Sequence, residues 1–278
     1  MPNTLTGAQA AAAIYAQVRE HAAALDAPPC LAAVSVGAQP DDRAYLHSIA
    51  LSAEHCGVTV RPVPLPADCA PETLTDTLRA LSADGAVHGV LLLRPLPAAL
   101  RAQEILDTLD ARKDVDGMTT ASLGALVTGA AGFAPCTAEA CMELLRAHGI
   151  DPAGRRVTVV GRSLVIGRPA ALLLTRADAT VTLCHRKTSD LAARCRDADI
   201  LLAAAGAPGL ITRDFVRPGQ IVLDAGATAL PDGTLRGDVA PDAAAIAVCT
   251  PVPGGIGSVT TALLLRHTVQ AAENLRHF

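Results

Sequence analysis

RRVTVVGRSLVIGRP, residues 155–169, is the stretch on which the fold turns. Residues 155–161 are rich in β-branched side chains, Gly161 and Gly167 flank a tight turn, and an amphipathic stretch continues over 167–177. A continuous apolar run, unlike an alternating one, suits a parallel strand covered on both faces. A strand that feeds a helix through a glycine turn is the repeating step of an α/β domain. The same rhythm extends outward through LAAVSVG (31–37), GVLLLRPLP (89–97), ATVTLCH (179–185), DILLAAAG (199–206), QIVLDAG (220–226) and AIAVCTP (245–251), all read as strands. Residues 41–56, 71–83, 138–148 and 188–197 read as helices between them. The expected fold class is therefore α/β.

With 278 residues and roughly 150 per domain, two domains are expected. The expected division is 1–134, completed by a C-terminal helix over 258–278, and 135–257. Thr137 is the expected N-cap of the helix that opens the second domain. A net charge of −4 leaves no basic footprint, which excludes nucleic acid as a partner. The eight cysteines contain no CxxC pair and no zinc-type spacing, so no metal is expected, and the thiols read as those of a reduced, cytoplasmic protein. No basic residue precedes Arg19, so no secretory leader is expected. The uncharged run 243–265 reaches membrane-spanning length, but Pro251, Pro253, Gly254, Gly255 and Gly257 interrupt it. It reads as a strand, a loop and a helix start, with no membrane partner.

The 155–169 turn is also where an α/β domain places a dinucleotide diphosphate, on backbone N–H groups at a helix N-terminus. Here Ser163 stands where the usual fingerprint has its second glycine, and a glycine pair at such a turn also occurs in folds that bind nothing. The next strand ends in His185-Arg186-Lys187-Thr188, without the acidic residue that usually holds the ribose hydroxyls of NAD. Two cations with Thr188 and Ser189, and Arg162 on the first turn, suit a 2′-phosphate, so NADP is favoured over NAD; a solvated basic turn before a helix is the alternative.

YLHSI (45–49), GVLLLRPLP, KDVDG (113–117), PCT (135–137), GRSLVIGRP and TPVPGGIG (250–257) occur in this order. Together they resemble the methylenetetrahydrofolate dehydrogenase/cyclohydrolase family, called FolD in bacteria, from about residue 30 to the C-terminus. The resemblance implies a homodimer of subunits with two α/β domains flanking a cleft, the second a Rossmann-like NADP-binding domain, with a tetrahydrofolate derivative between them. It implies hydride transfer from 5,10-methylenetetrahydrofolate to the nicotinamide and, in bifunctional members, hydration of the methenyl product to 10-formyltetrahydrofolate. Carried over by position, Tyr45 packs on the aminobenzoyl ring and Asp116 hydrogen-bonds the pterin, a carboxylate being able to accept two adjacent N–H bonds. Pro253, Gly254 and Gly255 form a loop where absent side chains admit close approach. The cofactor set is Gly161, Arg162, Ser163, Gly167, Arg186 and Thr228.

Two catalytic positions depart from the family. Its helix reads Tyr-x-x-x-Lys, and here the lysine position is Ile49; its strand carries a glutamine that holds that lysine, and here it is Leu93. Of the 23 basic residues only Lys113 and Lys187 are lysines, and a drift from lysine to arginine would have kept a cation at position 49. Arg94 is expected to face away by strand alternation, and His47 to point elsewhere on its helix. Ser258-Val259 and Asp42 are further departures. Hydride transfer needs positioning, whereas hydration needs a proton shuttle. The expected activity is an NADP-dependent dehydrogenase with its cyclohydrolase lost or strongly reduced; an inactive or repurposed paralogue is the alternative.

Overall fold

A computed structural model describes residues 4–37, 40–230 and 232–275, with the side chains of Pro40 and Asp41 left aside. In chain order the elements are α1 (Ala8–Ala23), β1 (Cys30–Val36), α2 (Pro40–Glu54), β2 (Thr59–Leu65), α3 (Pro71–Ala83), β3 (Gly89–Leu92), α4 (Gln103–Leu106) and α5 (Thr120–Thr128). They continue with α6 (Cys136–Ala147), β4 (Arg156–Val160), α7 (Gly167–Arg176), β5 (Thr180–Cys184), α8 (Leu191–Asp197), β6 (Ile200–Ala203) and β7 (Ile221–Asp224). The last are β8 (Thr228–Ala229), β9 (Leu235–Arg236), α9 (Pro241–Ala244), β10 (Val248–Cys249) and α10 (Ile256–Leu275).

The chain forms two compact units, one of Ala13–Cys136 with Thr261–Phe278, the other of Met1–Ala12 with Thr137–Thr260. The first holds a parallel sheet in the order β2-β1-β3. Its central strand is wholly covered, Leu31 to Val34 being 0% exposed, as the unbroken apolar run requires. Leu74, Leu78 and Leu81 of α3 pack on Val34, Val90 and Leu92 and on the leucines that follow β3. That core fixes the floor beneath Asp116.

The second unit holds a parallel sheet in the order β10-β7-β6-β4-β5. Strand order reverses between β4 and β6, where the loops leave in opposite directions and open a crevice at the carboxyl ends of the strands. Val157, Val159 and Val160 of β4 and all of β6 are buried, consistent with helices on both faces.

Three expectations change. The N-terminal segment groups with β4–β7, because Leu5 N–H donates to Cys249 O and Gly7 N–H to Gly254 O, both at 2.9 Å. The division also falls at Thr260–Thr261, inside α10, and positions 276–278 of the expected helix, like 1–3, lie outside the described residues. Finally, α6 already begins at Cys136, so Thr137 is inside the helix and not its cap. The 243–265 run is β10, a loop and the start of α10, and no helix among the described residues is long and apolar enough to cross a membrane.

Candidate active site

In the β1–β3 unit the KDVDG segment turns tightly after a short 3-10 helix over Ala111–Lys113. Asp114 is 2% exposed and is anchored by Thr119 N–H at 2.7 Å and the Ser122 hydroxyl at 2.6 Å, both donating to one oxygen. Those donors come from the N-terminus of α5, so helix capping fixes the segment that presents Asp116. Gly117, at φ +64°, lies against the backbone of Phe133 and Ala134, which leaves no room for a side chain.

Asp116 accepts a hydrogen bond from the Cys136 backbone N–H. Burial, reinforced by the Asp114 charge and opposed by Arg94, pushes its carboxyl up to about 6. Beneath it the Cys136 thiol donates to Val115 O at 3.2 Å, and His267 Nδ1 donates to the same carbonyl at 2.8 Å. The Phe133 ring lies 4.9 Å from that of His267. Tyr45, on α2, is 39% exposed, hydrogen-bonds Thr261, and senses the Asp116 charge. Burial raises its phenol pKa, so it stands as a neutral aromatic face.

Ile49, one turn along α2 from Tyr45, is 0% exposed, and Leu93 is 7% exposed. Neither side chain carries an ionisable group. Arg94 departs from the alternation expected of it: β3 ends at Leu92, and Arg94 lines a cleft with Asp114 and Asp116. Lys113 turns its ammonium from the site and donates to Leu81 O at 3.2 Å and Asp84 O at 2.8 Å, capping α3.

In the β4–β7 unit, Gly161 ends β4 at φ +122°, and a Cβ there would overlap the carbonyl of Ala204. Gly167 opens α7 against the carbonyl of Gly161 with equal closeness. The two glycines thus bring three stretches of bare backbone together at the strand-order reversal. The Ser163 hydroxyl accepts from Ile166 N–H at 3.1 Å, so it shapes the turn. Arg162 and Arg186 are exposed, as is Lys187, and the Thr188 hydroxyl braces the second turn by accepting from His185 N–H at 2.9 Å. Thr228 is half-buried on β8. Bare glycine backbone where strand order reverses, a cationic turn after β5 and no carboxylate at its end fit a phosphorylated dinucleotide.

Pro253, Gly254 and Gly255 belong to this same unit. Gly254 takes φ +98°, and Gly255 packs against the Pro251 carbonyl, where a Cβ would come to 2.5 Å. Ser258 donates to Gly255 O at 2.7 Å, so the departure at this position still ties the loop to α10.

Sequence reasoning missed two aspartates of the framework. Asp238, 0% exposed, accepts from Ala205, Gly206 and Ala207 N–H at 2.6, 3.0 and 2.7 Å. Asp224 accepts from Gly226, Asp238 and Val239 N–H at 3.0, 2.9 and 2.9 Å. They hold the loops at the ends of β6 and β7; only their place at strand ends distinguished them from surface aspartates.

Residues 135–276 match the family model described as tetrahydrofolate dehydrogenase/cyclohydrolase, NAD(P)-binding domain. Residues 5–116 match its catalytic domain. The chain is 47% identical to a protein of Rhodococcus jostii named bifunctional protein FolD 1, over 98% of this chain and 93% of that one. Among solved structures it is similar to the bifunctional FolD enzyme of Campylobacter jejuni, with a TM-score of 0.93, 37% identity and coverage of 98% and 99%. It is similar also to the Trypanosoma brucei enzyme complexed with NADP and an inhibitor, with a TM-score of 0.92, 34% identity and coverage of 99% and 98%.

Proposed function

The chain belongs to the tetrahydrofolate dehydrogenase/cyclohydrolase family, and from that membership we propose an NADP-dependent 5,10-methylenetetrahydrofolate dehydrogenase whose cyclohydrolase activity is lost or strongly reduced. The observation that supports it is that Ile49 and Leu93, at the positions where the resemblance places a lysine and a glutamine, are apolar and buried.

The nicotinamide, when bound, accepts the hydride released by the folate's methylene carbon. Gly161, Ser163, Gly167 and Thr228 bind the dinucleotide, with Arg162 and Arg186 drawing a 2′-phosphate. Asp116 accepts the pterin N–H groups and Tyr45 lies on the aminobenzoyl ring, while Pro253, Gly254 and Gly255 offer backbone at close range. These residues orient the reactants, which is most of what hydride transfer asks of a protein. Hydration asks more, because a water must lose a proton as it attacks, and neither Ile49 nor Leu93 can hold one.

A second reading keeps both activities. It is favoured by the relative from Rhodococcus jostii, which is named bifunctional. The discriminating experiment mixes protein with 5,10-methylenetetrahydrofolate and NADP or NAD, and follows reduced nicotinamide and methenyl absorbance separately. The expected result is reduced NADP with accumulating methenyl product. No reduced dinucleotide would sink the dehydrogenase; decay of added methenyltetrahydrofolate above the spontaneous rate would establish the second reading.

A further inference from the structure

A small cleft in the β1–β3 unit is walled by apolar side chains, four of them leucines, and its polar lining is Arg94, Asp114, Asp116 and Thr119. Arg94 is thus the sole cation facing two carboxylates in an apolar surround. Its Nε is buried with no hydrogen-bond partner among the described residues. A guanidinium nitrogen so placed forfeits its hydration without recovering it locally. Nothing in the packing of the leucines requires a cation there; the carboxylates opposite do.

We propose that Arg94 is a positioning residue of the folate site, the counter-charge that fixes Asp116 for the pterin across this cleft. The proposal rests on the reading of Asp116 given above and names the group that makes it work. Asp114, two residues away, is committed to Thr119 and Ser122. Two carboxylates in one apolar cleft repel, and the less committed one takes up a proton first. A protonated Asp116 loses one of the two acceptors that an aminopyrimidine edge requires. The other groups facing it are Cys136 from α6, which donates to it, and Tyr45 from α2, which is neutral; His267 from α10 is turned to Val115 O. None of these supplies a positive charge toward the carboxylate. Arg94 does, and burial already lowers its own pKa while Asp116 and Asp114 raise it, so the coupling is mutual.

Arg94→Leu and Arg94→Lys separate charge from shape. Two measurements apply to the full-length protein. The first is the KM for 5,10-methylenetetrahydrofolate from pH 5.5 to 9 at saturating dinucleotide. R94L is expected to raise KM about tenfold near pH 6.5, with kcat little changed and the loss fading above pH 8; R94K recovers most of it. An equal loss at every pH, or no recovery with lysine, would mean that Arg94 merely fills space and would overturn the proposal. The second is the Asp116 carboxyl titration followed by ¹³C NMR, assigned with Asp116→Asn. R94L is expected to move its midpoint upward, and an unmoved midpoint would overturn the proposal as well. Because this titration needs no turnover, it stands even if the protein fails to oxidise the folate, which would count against the proposed function instead.

Discussion

At the residue scale the chemistry gathers at Asp116. Its carboxyl sits at about 6, against an ordinary 3.8, because it is buried beside Asp114. The sign follows: below the ordinary value both folded and unfolded chains carry the proton and the group favours the fold, a contribution lost as pH rises through about 6. On the proposed function binding runs the other way, since a pterin held by Asp116 would need the ionised form. Folate affinity is therefore expected to fall as pH drops below about 6, visible as a rising KM on the acid side. Asp116→Asn should flatten that limb and raise KM roughly tenfold to a hundredfold at pH 7.5, the magnitude of a lost charge-assisted pair. An unchanged acid limb in that variant would assign it to another group. Ile49 carries a separate expectation. Being wholly buried, it should tolerate Ile49→Lys poorly alone, with a fall in Tm from an unpaired buried ammonium. Ile49→Lys with Leu93→Gln should regain part of that loss and hydrate methenyltetrahydrofolate above the spontaneous rate; if Tm and hydration stay as in the single variant, the two positions do not face each other.

At the element scale, the proposed function makes the turn after β5 the part expected to decide which dinucleotide is taken. Arg186→Glu with Lys187→Glu should lower affinity for NADP much more than for NAD, as measured by titrating each; equal losses would mean the turn reads no 2′-phosphate. Elements with one strong rhythm were legible in the sequence: β1, β4, β5, α3 and α7 fall within a residue or two of their expected places. β2 was not, because Pro62 and Pro64 read as breakers. Both sit on an edge strand, where one side of the ladder has no partner to be donated to, and there proline is tolerated. α5 hid in a stretch rich in glycine, alanine and threonine, and only the Thr119 cap, accepting from Ser122 N–H, marks its start. The candidate site divides likewise. Asp116, Tyr45 and the glycines stand in motifs that name them as candidates, whereas the place of Lys113 was not legible, since spacing alone does not say that its ammonium turns back to cap α3. Arg94 was missed because alternation was extended past the end of its strand.

At the scale of the whole molecule, each unit closes around its own sheet and its own ligand-facing residues. NADP at a hundred times its Kd should add about 2.7 kcal/mol to the stability of the state that binds it. Hydrogen exchange should locate the gain in β4, the start of α7 and residues 204–207, with β1–β3 little changed; uniform protection would place the ligand elsewhere. The division of the chain has a further bearing on how the molecule comes into being. Each unit joins an early stretch to a late one: Leu5 and Gly7 meet Cys249 and Gly254, and His267 reaches Val115 and Cys136. A ribosome delivers residues in order, so both nascent units wait, unsealed, until residues 249–267 have been translated, and the two then complete almost together.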